Sequence, residues 1–238
     1  MKCFQLEIKG NWGHFKRPET NNNPLSHDLI PKTALIGMMG AVLGIERKEM
    51  RALFPQLSDD LLYNVRLLNP VKKVPVGMTS FKALSNPSKD VRSRKSFEIL
   101  KNPSFLVTLG LANKRSEYIF DEFQTSVKNS ESIYPPCLGW HNCPAELYFV
   151  SEGELSELHF GEFETEGFVL VDGYKINSVN TNFRVGFDRL PTFQNDDFWN
   201  LPDKYRRIVY PDVDCKLIVE GEYREYSCGN SIENLCLI

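Results

Sequence analysis

A chain of 238 residues can bury one large core or two smaller ones, and its formal net charge is −3. Residues 1–110 carry 17 Lys and Arg against 9 Asp and Glu, and residues 111–238 carry 11 against 22, so +8 and −11 sum to −3. The longest apolar run, 34–45, is 12 residues long, which is too short for a membrane-spanning helix of about 20 residues.

The first predicted elements are a strand, a loop and a helix. Residues 3–8 alternate apolar and polar side chains, which is typical of a half-buried strand. A loop of aromatic and basic residues follows at 12–17. A helix is predicted from Pro31 to Gly44, because proline suits a first turn and glycine suits a left-handed end.

Glycines within this helix indicate a close neighbour. Gly37, Gly40 and Gly44 lie three and four residues apart, and therefore share one stripe of the helix. Each interior glycine destabilises a helix by about 1 kcal/mol relative to alanine. We therefore expect a sheet or a ligand backbone to approach this stripe closely.

The elements that follow predict an α+β fold. They are a helix over 48–54 that ends at Pro55, a strand over 63–68 that 71–84 extends or pairs with, a turn-rich basic segment over 85–103, a strand over 105–111, a helix over 117–127 and a strand over 145–150. The order is the ferredoxin-like, RRM-like β-α-β-β-α-β arrangement. We predict a ferredoxin-like RNA-binding domain over 1–150, with an insertion at about 82–103. A β-rich region over 151–238, with strands at 168–171, 207–210 and 217–219, is expected to pack on it.

The loop from Trp12 to Arg17 is a candidate nucleic-acid contact. Aromatic side chains beside cations suit single-stranded nucleic acid, on which bases stack. The alternative is that Trp12 and Phe15 cover the edge of the core while Lys16 and Arg17 are merely solvated. The strand over 105–109 lacks the basic-glycine-aromatic signature of RNA-recognition modules, so base stacking on the open sheet is not expected.

A second candidate contact is the basic segment 82–101. Its cations are Lys82, Lys89, Arg92, Arg94, Lys95 and Lys101, against only Asp90 and Glu98. Hydroxyl groups beside the charges give a composition that suits phosphate. Charge runs are usually solvated loops, but a long irregular insertion in a compact domain is uncommon without a function.

Cysteine and histidine residues predict neither an active site nor a metal site. Cys137, His141 and Cys143 have no fourth ligand nearby, and no Cys-x2-Cys pair exists. No phosphate-binding glycine loop is present, and no cofactor is expected. Six cysteines without a charged, apolar, cleavable leader lead us to expect a reducing cytoplasm.

Stretches in the same order along residues 1–150 resemble the CRISPR-associated fifth-family subunit of Cascade. They are Gly10 with Phe15 to Glu19, Pro31 to Gly40 with Leu43-Gly44, Ser96 to Phe105 before the third strand, and the proline-leucine-glycine loop Tyr134 to Trp140 before the fourth. The ordered set carries the resemblance, since no single motif is specific.

The resemblance implies a RAMP-type fold that holds the 5′ handle of the CRISPR guide RNA and caps a filament of backbone subunits. By position, Lys82 to Lys101 would act as a thumb on the RNA, and the helix that starts near Thr33 would aim its amides at phosphate. The implied partners are guide RNA, the Cascade backbone subunit and the Cascade large subunit, with target DNA near the protospacer-adjacent motif as a further candidate. The expected RNA-binding residues are Trp12, His14, Phe15, Lys16, Arg17, Lys32, Thr33, Lys82, Arg92, Arg94, Lys95 and Trp140.

One branch of the family cleaves precursor RNA with a tyrosine and an adjacent Lys-His pair. Tyr63 is available here, but no Lys-His pair exists, so the resemblance implies the non-cleaving, type I-B-like branch. Two alternatives stay open. One is a metal-independent endoribonuclease that uses His14 or His141, and the other is a protein-only interaction domain.

Overall fold

The computed structural model of the chain describes residues 1–20, 23–81, 92–180, 184–195 and 201–238. The elements that begin within the first 150 positions are β1 (Lys2–Lys9), β2 (Trp12–Gly13), α1 (Lys32–Leu43), α2 (Arg47–Asp60), β3 (Leu61–Leu67), β4 (Lys73–Phe81), β5 (Arg92–Lys101), β6 (Ser104–Leu111), a 3₁₀ turn (Lys114–Ser116), α3 (Glu117–Asn129) and β7 (Glu146–Leu155). They continue with β8 (His159–Thr165), β9 (Val169–Leu170), β10 (Lys175–Asn180), β11 (Val185–Phe193), β12 (Lys204–Pro211), β13 (Lys216–Cys228) and β14 (Ser231–Leu235).

The central sheet confirms the predicted α+β class. Its strands lie in the order β10-β13-β7-β1-β6-β3, and each neighbouring pair is antiparallel. Within this sheet, β7-β1-β6-β3 is the order that the β-α-β-β-α-β prediction requires. Helix α3 packs against the sheet through Phe120 and Phe123, whose ring centroids lie 5.1 Å and 6.1 Å from that of Phe4.

Helix α1 has a close neighbour at one of its glycines, but that neighbour is a side chain of α2 and not the predicted sheet or ligand backbone. It begins after Pro31 and ends at Gly44, whose φ of 68° is left-handed as expected. A Cβ atom built on Gly40 would lie 2.8 Å from the Met50 sulfur, so α1 and α2 do approach closely there. The prediction is wrong for Gly37, which is exposed and where a Cβ would meet nothing within 4 Å.

Helix α2 is longer than predicted, because it continues through Pro55 to Asp60. The proline removes one backbone donor, which normally disrupts a helix. Here the buried face that contains Met50 and Phe54 continues to the fully buried Leu57. Tertiary burial therefore outweighs the local effect of the proline.

Over the described residues, the expectation that 85–103 is irregular is wrong for 92–101, and residues 73–81 neither extend the preceding strand nor pair with it. Strands β4 and β5 instead pair with each other, from Lys73 opposite Leu100 to Phe81 opposite Arg92. Strand β2 pairs with the other edge of β5 and completes a three-stranded sheet, in which Trp12 lies opposite Lys101. Most of β5 between 94 and 98 is exposed or half-buried, so no apolar alternation marks it. Lys82 and the rest of 82–91 lie outside the described residues.

Three predicted strands of the C-terminal part are confirmed as β9, β12 and β13. Strands β11, β12 and β9 form a separate three-stranded sheet. Its buried side chains Leu190, Ile208 and Tyr210 belong to the same apolar core as the β1 side chains. Strand β7 runs across position 150, so the predicted division there stays a prediction. Among the described residues, no helix is both long and apolar enough to cross a membrane.

Candidate nucleic-acid interface

A cleft of about 480 Å³ lies beside the start of α1. Five of the residues predicted as RNA contacts line it: His14, Phe15, Lys16, Thr33 and Trp140. They come from three separate stretches of sequence and are joined by Phe97 of β5 and Pro191 of β11. We call this surface the aromatic cleft.

Two stacked rings form one wall of the aromatic cleft. Trp140 and Phe97 have ring centroids 5.1 Å apart and planes that differ by 11°. The imidazole of His14 meets both edge-on, with its centroid 5.8 Å from that of Phe97 and 6.1 Å from that of Trp140. Both Trp140 and Phe97 are half-buried, so part of each ring remains accessible. Sequence reasoning missed Phe97, because the segment around it gave no strand signal.

A tight loop holds Trp140 in place. Leu138 is fully buried, and its amide donates to Cys143 O at 2.7 Å while its carbonyl accepts from His14 N at 2.9 Å. Gly139 has a φ of 80°, and a Cβ there would lie 2.3 Å from His14 O. Only glycine fits both the left-handed backbone and this close approach. The loop therefore fixes the indole against the segment that follows β2 and carries His14.

His14 contributes a neutral ring rather than a cation. Its Nδ1–H donates to Glu98 O at 2.8 Å. Burial lowers the pKa of His14, and the Glu98 carbonyl opposes this only in part. At neutral pH the imidazole is therefore uncharged, and its Nε2 is an acceptor.

Three predicted contacts, His14, Phe15 and Lys32, are buried in the structure, and the roles of Phe15 and Lys32 require correction. Phe15 is only 3% exposed and packs against Phe105, with centroids 6.2 Å apart, so it is a core residue at the cleft wall rather than a free stacking platform. Lys32 is only 4% exposed, and desolvation lowers its pKa to about 8 although Asp59 and Asp60 favour the charged form. A buried ammonium group at this position is a poor surface contact for phosphate.

Lys16, Arg17 and Trp12 have different surroundings. Lys16 is exposed at the mouth of the aromatic cleft. Arg17 lies 3.2 Å from Asp188 and donates from Nε to Ser26 O at 3.2 Å, so it ties the loop to β11. Trp12 is 41% exposed on β2, outside the lining of the cleft.

A buried polar network supports the cleft from below. Asp188 accepts from His27 Nδ1 at 2.9 Å and from the Asp28 amide at 2.8 Å. Burial alone would raise the pKa of Asp188, but His27, the Asp28 amide and Arg17 together hold it below its usual value. Lys73 of β4 lies 2.5 Å from Asp28 and 2.9 Å from Glu98. The network joins the N-terminal loop, the β4–β5 hairpin and β11.

The hairpin carries the remaining predicted contacts. Lys95 and Phe97 are two residues apart on β5, so they share one face, and Arg94 lies on the other. Arg94 is exposed and Lys95 is half-buried. Arg92 pairs with Phe81 at the last described position of the strand. The face that ends at the aromatic wall thus continues along the hairpin through Lys95.

The start of α1 also lines the cleft. Pro31 and Thr33 line it, and no side chain caps the first turn. The turn contains no acidic residue. Uncapped amides at a helix N-terminus carry partial positive charge and favour anions. The aromatic cleft therefore combines flat rings, one exposed ammonium group and a helix N-terminus.

This set of groups, with flat rings beside an ammonium group and a helix N-terminus, is suited to holding single-stranded nucleic acid. The family model of the CRISPR-associated protein (Cas_Cas5) matches residues 3–157, more than half of the chain. The chain therefore belongs to the Cas5 family of CRISPR-associated proteins. No curated protein sequence matches it.

Solved structures share the fold. A crystal structure of a CRISPR protein from Archaeoglobus fulgidus is 15% identical, with a TM-score of 0.61 over 98% of this chain and 99% of that chain. A chain of a CRISPR RNA-guided surveillance complex is 15% identical, with a TM-score of 0.55 over 92% and 91%. A chain of the Type III-B Cmr-beta complex bound to cognate target RNA and AMPPnP is 10% identical, with a TM-score of 0.52 over 91% and 86%.

Proposed function

We propose that this protein is a non-catalytic subunit of a Cascade-type CRISPR complex and that it holds the 5′ handle of the guide RNA in the aromatic cleft. The observation that carries the proposal is the convergence of Lys16, Thr33 and Trp140 on one cleft, although they are far apart in sequence. Family membership and the fold shared with a chain of an RNA-guided surveillance complex also support it.

Each wall of the cleft would meet a different part of a nucleotide. The stacked pair of Trp140 and Phe97 offers a ring face to a base, an interaction worth about 1–3 kcal/mol. Lys16 and the uncapped start of α1 at Thr33 suit a phosphate on the other side. His14 Nε2, as an acceptor, suits a ribose hydroxyl or a base N–H group.

The proposed role in assembly concerns the β4–β5 hairpin. As a thumb, it would lie along the RNA through the face of Lys95, while the body of the chain caps the filament of backbone subunits and meets the large subunit. Target DNA near the protospacer-adjacent motif remains a further candidate partner. The cytoplasm is the proposed location.

A second candidate function is cleavage of precursor RNA without a metal ion. The observation that favours it is that His14 and His27 both line the aromatic cleft, and that the Nδ1 of His27 is held by Asp188. A histidine held by a carboxylate, as His27 is by Asp188, can act as a general base. Against it, His27 is 2% exposed and no lysine adjoins either histidine. His141 is exposed beside Trp140 but is absent from the cleft lining.

One experiment separates these functions. The purified protein is incubated with RNA copied from the CRISPR repeat of its own locus, in EDTA, and both binding and cleavage are measured. Salt-sensitive binding without cuts supports the proposal. Site-specific cuts that His27→Ala or His14→Ala abolishes would support the endoribonuclease. Absence of salt-sensitive binding would favour a protein-only interaction domain.

A further inference from the structure

The outward face of the β11–β12 pair has an unusual composition for the acidic C-terminal half. Its members are Phe187 and Arg189 of β11 and Tyr205 and Arg207 of β12, which we call the ribbon patch. Phe187 is 65% exposed although it is a large apolar side chain. The guanidinium carbon of Arg189 lies 4.4 Å from the centre of the Tyr205 ring.

Two arginines lie directly opposite each other in this patch. The register of the strands pairs Arg189 with Arg207 and Phe187 with Val209. Like charges directly opposite on a sheet face repel each other, which destabilises the pairing. Of these two arginines, only Arg207 has a carboxylate partner among the described residues. That partner is Asp172 at 2.5 Å, and both side chains of the pair are more than 60% exposed. An exposed pair of this kind contributes little to stability.

The ribbon patch is continuous with the aromatic cleft. Side chains alternate along a strand, so Phe187, Arg189 and Pro191 share one face of β11. Pro191 lies opposite Tyr205 and also lines the cleft. Arg189 is two residues from Pro191, a separation of about 6.6 Å along a strand. The two surfaces are therefore neighbours on one path.

We propose that the ribbon patch binds single-stranded guide RNA where the strand leaves the aromatic cleft. The patch alternates aromatic and guanidinium groups, and such surfaces bind single strands by stacking and by phosphate contacts. An anion between Arg189 and Arg207 would remove their repulsion. A phosphate of the RNA supplies that anion, and Phe187 accepts a base beside it. This inference rests on the proposed function, because the strand is the one that fills the cleft.

The test compares two repeat-derived RNAs, a short one that fills only the aromatic cleft and one extended by several nucleotides at each end. Affinity is measured over a range of salt for the parent, for Arg189→Ala with Arg207→Ala, and for Phe187→Ala. Lys175→Ala, which removes an exposed cation on another strand, is the charge control. We expect the ribbon variants to bind the long RNA about fivefold or more weakly, as when one stacked base is lost. The double variant should also lower the salt slope by roughly 0.7 for each lost phosphate contact.

The short RNA should bind all variants equally, and Lys175→Ala should bind both RNAs like the parent. Equal binding of the long RNA by the parent and the ribbon variants would overturn the inference and leave the proposed function standing. If the parent binds neither RNA, both this inference and the proposed function are wrong. Melting temperatures check the fold, and if the double variant melts early, Phe187→Ala and Arg207→Ala alone decide the outcome.

Discussion

The indole of Trp140 lies nearly parallel to the phenyl ring of Phe97, with 5.1 Å between their centroids. Trp140 comes from a tight loop before β7 and Phe97 from the base of the β4–β5 hairpin. The stack thus joins the hairpin to the body of the protein. It also gives the aromatic cleft its largest flat surface.

Removal of this stack should weaken RNA binding. Trp140→Ala should lose about 1–3 kcal/mol of affinity for repeat-derived RNA, because a stacked base loses its partner. Fluorescence anisotropy measures the effect. Tyr118→Ala is the control, since Tyr118 is an exposed aromatic residue outside the cleft lining. Equal losses for the two variants would contradict a specific role for the cleft.

The hairpin cations should contribute to the salt dependence of binding. For single strands, log K falls with log salt by about 0.7 per neutralised phosphate. If Arg92, Arg94 and Lys95 all contact phosphate, their joint replacement by alanine should reduce the slope by about two units. The single variants divide the effect, because Lys95 shares the face of Phe97 and Arg94 does not. An unchanged slope in the triple variant would remove the thumb assignment.

The glycines of α1 should respond to substitution in opposite directions. Gly40→Leu would place a side chain against the Met50 sulfur, which overpacks the contact and costs about 1–3 kcal/mol of unfolding free energy. Gly37→Ala enters open space and should stabilise the helix by about 1 kcal/mol. Thermal melting compares both with the parent. A parent-like melt of Gly40→Leu would show that α2 yields without strain.

Thr33 should matter for binding and not for folding. It lies half-buried at the mouth of the cleft, at the start of α1. Thr33→Ala should melt like the parent and bind RNA about 1 kcal/mol less tightly, the net worth of one hydrogen bond. Thr33→Ser, which keeps the hydroxyl group, is the control and should bind like the parent. Weak binding by the serine variant would assign the effect to the lost methyl group instead.

Burial of Lys32 should make stability depend on alkaline pH. Its pKa is about 8 in the folded protein against 10.5 for an ordinary lysine, so between these values the unfolded chain holds a proton that the folded protein has released. Unfolding free energy should therefore rise with pH across this window, by about 3 kcal/mol in all. Lys32→Met should be more stable than the parent at pH 7, and the difference between the two should shrink toward pH 10.5.

Chemical denaturation at several pH values measures that difference. Lys48→Met, an exposed lysine on α2, is the matched control and should show a small difference that does not change with pH. A constant difference between Lys32→Met and the parent would mean that Lys32 reaches solvent.

Elements that carry a local signal were predictable from sequence, and a strand without one was not. The strand over 3–8 was predicted from its alternating side chains, and the helix over 31–44 from the proline and the glycine at its two ends. Between 94 and 98 of β5, Phe97 is the only apolar side chain, so no alternation marked the strand. For the same reason the location of Phe97 could not be foreseen.

Long-range polar contacts were also beyond sequence reasoning. His27 and Asp188 are 161 positions apart, and neither belongs to a motif. Trp140 and Lys16 were named as contacts, yet their meeting in one cleft depends on the fold of the loop around Gly139. The burial of Lys32 could not be foreseen, because nothing local reveals which side of a helix faces the core, and for Phe15 the sequence left a core position and an RNA contact both open.

The carboxylate of Asp28 has partners on two different parts of the chain. Lys73 at the base of the hairpin lies 2.5 Å from one oxygen, and Tyr210 of β12 donates to the other at 2.5 Å. Loss of the second contact would leave the buried Tyr210 hydroxyl group without this acceptor, which is costly, whereas Lys73 also contacts Glu98 and Ser26 O. The hairpin and the C-terminal sheet are therefore held at a set spacing before any ligand arrives. An RNA strand that contacts both the hairpin and the C-terminal sheet would spend little free energy on ordering the protein. More of its binding energy is therefore retained as affinity.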